Sequence, residues 1–162
     1  APREWTKDPN TWLTTTDIKR VLAHYEREHP SFHVLGPSPI DFDTRKSSGK
    51  CVWPEICNIN TVQLERQGRK FIGMVFNLDP HDEPGSHWVA LAVDLRSTPE
   101  VVYYFDSMGK PAPKRVKALV KRIIKQREAA GHKCEFQLQT NTDNDFFYFL
   151  TSNRIITFSY PS

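Results

Sequence analysis

Two apolar runs, each bounded by a polar residue, constrain the centre of this chain. Gly85-Ser86-His87-Trp88-Val89-Ala90-Leu91-Ala92-Val93-Asp94 reads as a strand opened by His-Trp. After a short turn, Tyr103-Tyr104-Phe105-Asp106-Ser107 reads as a second strand closed by Asp-Ser. Antiparallel pairing sets the start of the first strand beside the end of the second. His87 and Asp106 then meet at a sheet edge, as a general base meets the carboxylate that orients it. Asp94 is the rival carboxylate, but seven steps of about 3.3 Å put it roughly 23 Å from His87. Trp88 faces away from His87, as successive strand residues do, and supplies an apolar wall or a core anchor.

The neighbouring segments supply the rest of a sheet. Residues 70–78, Lys-Phe-Ile-Gly-Met-Val-Phe-Asn-Leu, form an apolar, β-rich run of the kind found in a buried strand. With strands at about 88–95 and 101–105 they make a three-stranded antiparallel meander. Upstream, Thr14-Thr15-Thr16-Asp17 opens a helix with a stripe at Ile18, Val21, Leu22 and Tyr25, stopped by Pro30. Phe32 to Leu35 reads as a short strand closed by Gly36-Pro37-Ser38-Pro39, and Asp43 to Lys50 as an exposed loop. Pro111 and Pro113 open a helix through about residue 128, with Val116, Leu119, Val120, Ile123 and Ile124 on one face. Glu135-Phe136-Gln137-Leu138-Gln139 alternates as a strand does, and the apolar tail from Phe146 to Leu150 fits helix or strand. The expected architecture is α+β: a central, mostly antiparallel sheet with helices packed on its faces. Residues 1–162 read as one domain, with an N-terminal helical segment at 1–30 and a core at 31–162.

Composition narrows the class. A chain of 162 residues, 38% hydrophobic and 25% charged, suits one folded domain with a sizeable core. No apolar run reaches the roughly 20 residues that span a bilayer, and Ala1 to Asp8 lacks the apolar region of a secretory leader. The expected setting is cytosolic, nuclear or virus-associated, without membrane contact. Cys51, Cys57 and Cys134 are odd in number and sparse, which argues for reduced thiols. Zinc needs about four ligands at short paired spacings, so no metal is expected.

The motif set Asn77-Leu78-Asp79, Gly85-Ser86-His87-Trp88-Val89-Ala90-Leu91 and Tyr103-Tyr104-Phe105-Asp106-Ser107-Met108-Gly109 resembles the adenain-like cysteine proteases. These include SUMO-deconjugating enzymes, the adenovirus protease and the polyprotein-processing proteases of large cytoplasmic DNA viruses. The segment Phe32 to Asp43, with Pro39-Ile40-Asp41-Phe42-Asp43, looks most like the last branch. The resemblance covers about residues 10 to 140. It implies a papain-like architecture, His87 as base, Asp106 as its partner and Gln139 as oxyanion donor, with Gln137 as second choice. It also places Asn77 and Trp88 beside the substrate, Trp88 roofing a tunnel that admits glycine. The substrate would be a polypeptide, either a viral polyprotein or a ubiquitin-like protein, cut at glycine-containing sites by a monomer that needs no cofactor. The host cytoplasm, at a viral factory, or the virion is the implied location.

The family's nucleophile is a Cys-Gly pair some five to seven residues after the Gln. Here Thr140-Asn141-Thr142-Asp143-Asn144-Asp145-Phe146-Phe147 follows Gln139, and Phe146 stands where the Cys is expected. Cys134 precedes Gln139, and Cys51 and Cys57 lie far upstream. Two readings stay open. In one, residues carrying the Cys-Gly are missing between Gln139 and the tail; in the other, the protein is an inactive relative that binds its target without cutting it. A deSUMOylating or deubiquitinating isopeptidase is a further alternative. The basic helix at 114–128 reads first as a solvated face and second as a phosphate-contacting one, with no interleaved aromatics to read sequence.

Overall fold

The computed structural model describes residues 14–79, 81, 87–106 and 108–139. Its centre is a five-stranded sheet whose spatial order follows the chain, β1 (Phe32–Pro39), β2 (Phe71–Asn77), β3 (Trp88–Asp94), β4 (Glu100–Phe105) and β5 (Cys134–Gln139). β2, β3 and β4 form the expected antiparallel meander, while β1 joins β2 and β5 joins β4 in parallel. The sheet is therefore mixed. Each parallel join needs a crossover, and helices provide both.

Helix α1 (Thr15–Glu28) begins where Thr14 and Asp17 form a capping box: the Thr14 hydroxyl accepts from Asp17 N–H and the Asp17 carboxylate from Thr14 N–H. Its buried face, Ile18, Leu22 and Tyr25, packs on one side of the sheet. Two short helices, α2 (Pro54–Cys57) and α3 (Thr61–Arg66), precede β2. Helix α4 (Lys114–Ala129) carries the chain from β4 to β5, and Gly131 follows its end at φ +90°. Val116, Leu119, Val120 and Ile123 of α4 pack on the other sheet face with Ile56 and Ile59.

The strands alternate between these layers. Ile72, Met74 and Phe76 of β2, Val89, Leu91 and Val93 of β3, and Val102 and Tyr104 of β4 face α4. Phe71, Ala90, Ala92 and Phe105 face the α1 side. Both faces are covered, which is why β2 reads as a continuous apolar run.

β1 extends to Pro39, beyond the Leu35 that sequence suggested. The register shifts between Leu35 and Ser38, where Gly36 has φ +100° and its backbone lies against Val75. A Cβ at Gly36 would stand 2.8 Å from the Val75 carbonyl oxygen, so only glycine passes there. β1 is an edge strand, which tolerates Pro37 and Pro39. Glu26 covers part of that edge by accepting from Val34 N–H.

The expectation of three reduced thiols is overturned for two of them. Cys51 and Cys57 form a disulfide with Cα atoms 6.3 Å apart. An isolated bridge between Arg45 and Cys51 turns the chain, and α2 then brings Cys57 back against it. The count of cysteines is blind to that local reversal. Cys134 is free and buried. No helix among the described residues is long and apolar enough to cross a membrane. Phe146 and the tail lie outside the described residues.

Candidate active site

The meander delivers His87 and Asp106 to one rim. Ala90 pairs with Phe105, so the residues just before β3 and just after β4 are neighbours. His87 Nε2 lies 2.7 Å from Asp106 Oδ1. Both belong to the strand parity whose side chains face α4, shared with Val89 and Tyr104. The Asp106 side chain is 2% exposed and that of His87 21%, so the carboxylate is sequestered while the imidazole keeps an open side. Met108 N–H also donates to Asp106 Oδ1 at 2.9 Å, which fixes the carboxylate. An ionised carboxylate only accepts, so Nε2 carries the proton and Nδ1 is left as the basic nitrogen. Behind the pair, Tyr104 keeps its phenol buried without a partner among the described residues. Burial first, and the Asp106 charge second, push that phenol upward, so it stays neutral.

Asp94, the rival carboxylate, is at the opposite end of the sheet and binds Arg96 through two hydrogen bonds of 2.9 Å. Asn77 pairs with Trp88 across β2 and β3, at the His87 rim. Its Oδ1 accepts from Asp79 N–H at 2.9 Å, holding the turn that leaves β2. Leu78 N–H donates to the His87 carbonyl at 2.9 Å, tying the base to that turn. Trp88 packs beside Ile18, Leu22 and Val75, and it also lines a groove of about 360 Å³ with Trp53, Asn77, Asp79 and His81. It is both the core anchor and the wall that sequence offered as alternatives. A larger hollow of about 630 Å³ lies between α1 and β1, and neither hollow is lined by His87 or Asp106.

Gln139 is placed by backbone register: it pairs with Phe105, next to Asp106, whereas Gln137 pairs with Tyr103 further from the rim. No thiol among the described residues serves the dyad. Cys51 and Cys57 are bonded to each other. Cys134 pairs with Glu100 at the far end of β4. Burial foremost, then the Glu100 charge, pushes its thiol up to about 11, away from a reactive thiolate.

Sequence reasoning missed a second His–Asp pair at this rim. His81 Nδ1 lies 2.5 Å from Asp41 Oδ2, and His81 N–H donates to Asp41 Oδ1 at 3.0 Å. Asp41 sits in the Pro39-Ile40-Asp41 segment, and it anchors the chain leaving β2. At the opposite end of the sheet, Glu65, Glu100 and His132 bring their ligand atoms within 4.8 Å of one another. Arg127 already bridges the two carboxylates, so this cluster is an ion-pair network.

Comparison with known proteins converges on one group. Residues 58–133 match the model of the Ulp1 protease family, C-terminal catalytic domain. A protein of Acanthamoeba polyphaga mimivirus named as a thiol protease is 36% identical over 112 residues, covering 69% of this chain and 34% of that protein. A cysteine protease of African swine fever virus is 35% identical over 136 residues, covering 80% of this chain and 50% of that protein. The chain thus spans between a third and a half of the length of these curated relatives. Among solved structures, the African swine fever virus protease aligns with a TM-score of 0.70 at 21% identity, covering 90% of this chain and 58% of that chain. The SUMO protease Ulp1, with its catalytic cysteine oxidised to a sulfinic acid, aligns with a TM-score of 0.56 at 16% identity, covering 96% and 73%. At these identities the structural likeness establishes the fold.

Proposed function

The chain carries an adenain-like domain of the Ulp1 cysteine protease class, and from that premise we propose that it holds the acid–base half of an endopeptidase that processes a viral polyprotein at glycine-containing sites. The observation that carries this reading is the sequestered His87–Asp106 hydrogen bond at the sheet rim, with Nδ1 bonded to no described residue. The viral origin of both sequence relatives supports a viral, host-cytoplasmic setting.

The chemistry runs in two stages. His87 Nδ1 takes the proton of a thiol, and the thiolate attacks the scissile carbonyl carbon. Asp106 stabilises the imidazolium that forms. The Gln139 side chain and a backbone N–H hold the oxyanion. As the tetrahedral intermediate collapses, His87 returns its proton to the leaving amine and a thioester remains. Water, deprotonated by His87, then attacks the thioester, and the thiol and a carboxylic acid are released. The groove walled by Trp88 and Trp53, which neighbours the dyad without being lined by it, would receive the approaching peptide.

The attacking thiol, on this reading, is none of Cys51, Cys57 and Cys134, and it lies in the part of the relatives' length that these residues do not span. Two measurements on the protein from its native source test the proposal. Its intact mass should exceed 18.8 kDa. A peptide ending in Gly-Gly and an electrophile should attach to one additional cysteine, and His87→Ala should slow that attachment about 100-fold. Attachment to Cys134, or attachment indifferent to His87, would sink the proposal.

A further inference from the structure

Helix α4 divides its basic residues by type. Its arginines are engaged within the domain: Arg115 binds Asp43, Arg122 donates to the Cys57 carbonyl at 2.8 Å, and Arg127 is buried against Glu100 and Glu65. The side chains of Lys114, Lys117, Lys121 and Lys125 are exposed and have no hydrogen bond or ion pair with any described residue. At about 100° per residue these four positions fall within an arc of about 80° and extend for about 16 Å along the helix. Within the helix itself, Glu128 at the C-terminal end is the one residue of opposite charge.

We propose that this lysine line is a docking surface for duplex nucleic acid, bound through its phosphates and without regard to sequence. A duplex carries about one negative charge per 1.7 Å of axis, so a 16 Å line meets a continuous row of phosphates. The chemistry of the surface favours this partner over an acidic protein. Lysine is depleted from protein–protein interfaces, which are anchored by aromatic residues and arginine. Here the arginines are paired within the domain, and the large hydrophobics exposed among the described residues, Met108, Phe136 and Leu138, all lie off the helix. A flexible ammonium is a point charge suited to a phosphate backbone, and nothing on this face reads base edges.

The site is independent of the proteolytic reading and is tested by binding alone. The full chain is titrated against a fluorescent 20-base-pair duplex between 50 and 200 mM salt, and anisotropy is read. Four phosphate contacts give a log–log slope of about −3.6, so affinity falls about 150-fold over that range. The variant Lys117→Gln/Lys121→Gln removes two charges while keeping part of each aliphatic stem, and should halve the slope to about −1.8, a fall of about 12-fold. Two unrelated duplex sequences should bind within about twofold of each other. Three results overturn the proposal: no binding at 50 mM salt, a slope unchanged in the variant, or displacement of the duplex by polyglutamate at equal charge concentration. The last would assign the surface to an acidic polypeptide instead.

Discussion

Replacing Arg127 by Met should cost about 3 kcal/mol of folding stability, and the structure says where that figure comes from. Arg127 is fully buried and donates to Glu100 through Nε at 2.7 Å and Nη2 at 2.8 Å, and to Glu65 through Nη2. Methionine fills much the same volume, so the loss is electrostatic rather than a cavity. Glu65 is 29% exposed and can turn to water, which makes its share about 0–1 kcal/mol. Glu100, at 5% exposure, cannot escape, and the other group beside it among the described residues is the His132 ring, with Nδ1 at 3.5 Å. Breaking a buried pair by removing one partner costs about 3–5 kcal/mol. The low end applies, because Arg127 Nη1 is already buried without a partner and its desolvation is relieved in the variant. In a domain of this size the loss lowers Tm by about 6–12 °C. Urea unfolding of the wild type, the Arg127→Met variant and the Glu100→Gln/Arg127→Met variant provides the assay. The double variant should regain about 2 kcal/mol, since a neutral amide is far less costly to bury than a lone carboxylate. A loss below about 1 kcal/mol in the single variant, or no recovery in the double, would refute the reasoning.

Three further outcomes follow from the same geometry. Asp106→Asn keeps the size of the side chain but lets it donate, so the imidazole can settle with its proton on Nδ1. Peptide cleavage by the native protein should then fall by about 10³–10⁴, with the change of tautomer visible in ¹⁵N shifts of the ring; an unchanged tautomer would contradict it. The Cys51–Cys57 disulfide closes a short loop, with a sequence separation of 6, worth about 2 kcal/mol. Unfolding the 162-residue chain without reductant should expose a single titratable thiol, and added reductant should lower the urea midpoint; three thiols before reduction would argue against the bond. The Cys134 thiol, raised to about 11 by burial, exposes little thiolate at pH 8. Its alkylation should be about 100-fold slower in the native than in the denatured protein. Because the neutral form is favoured on folding, the contribution of this thiol to stability should be constant below about pH 9 and fall between about 9 and 11.

The parts of the fold that were legible in sequence are those built from neighbours. β2, β3 and β4 pair across short connections, so their alternation, order and the meeting of His87 with Asp106 follow from local pattern. The stripe of α1 and its Thr14–Asp17 cap are local in the same sense. What was missed depends on distant residues. The irregularity at Gly36 sets its backbone against the Val75 carbonyl, a neighbour 39 residues away, where only glycine fits. Helices α2 and α3 are too short for a periodicity to show; Arg122 and Gln126 of α4 secure them by hydrogen bonds to the Cys57 and Ile59 carbonyls. Arg127 looked like one more charge on a basic helix, because its partner Glu100 is 27 residues away. The His81–Asp41 pair spans 40 residues and has no signature in either segment alone.

This division bears on how the site is held. His87 and Asp106 sit on strands that pair directly, so their relative placement needs nothing beyond the meander. Gln139 belongs to β5, which reaches β4 in parallel only after the excursion through α4. At the start of that pairing Glu100 lies opposite Cys134, and Glu100 is the residue to which Arg127 ties the end of α4. The buried ion pair therefore clamps the helix to the strand at the point where the β4–β5 register begins. Five residues further along, the same register sets the backbone of Gln139 beside Phe105 and hence beside Asp106. Loosening the clamp by Arg127→Met should therefore disturb the Gln139 side of the rim more than the His87 side. Hydrogen exchange gives the reading: amides of β5 should lose protection before those of β3, whereas equal loss in both strands would mean that the pair stabilises the sheet without setting its register.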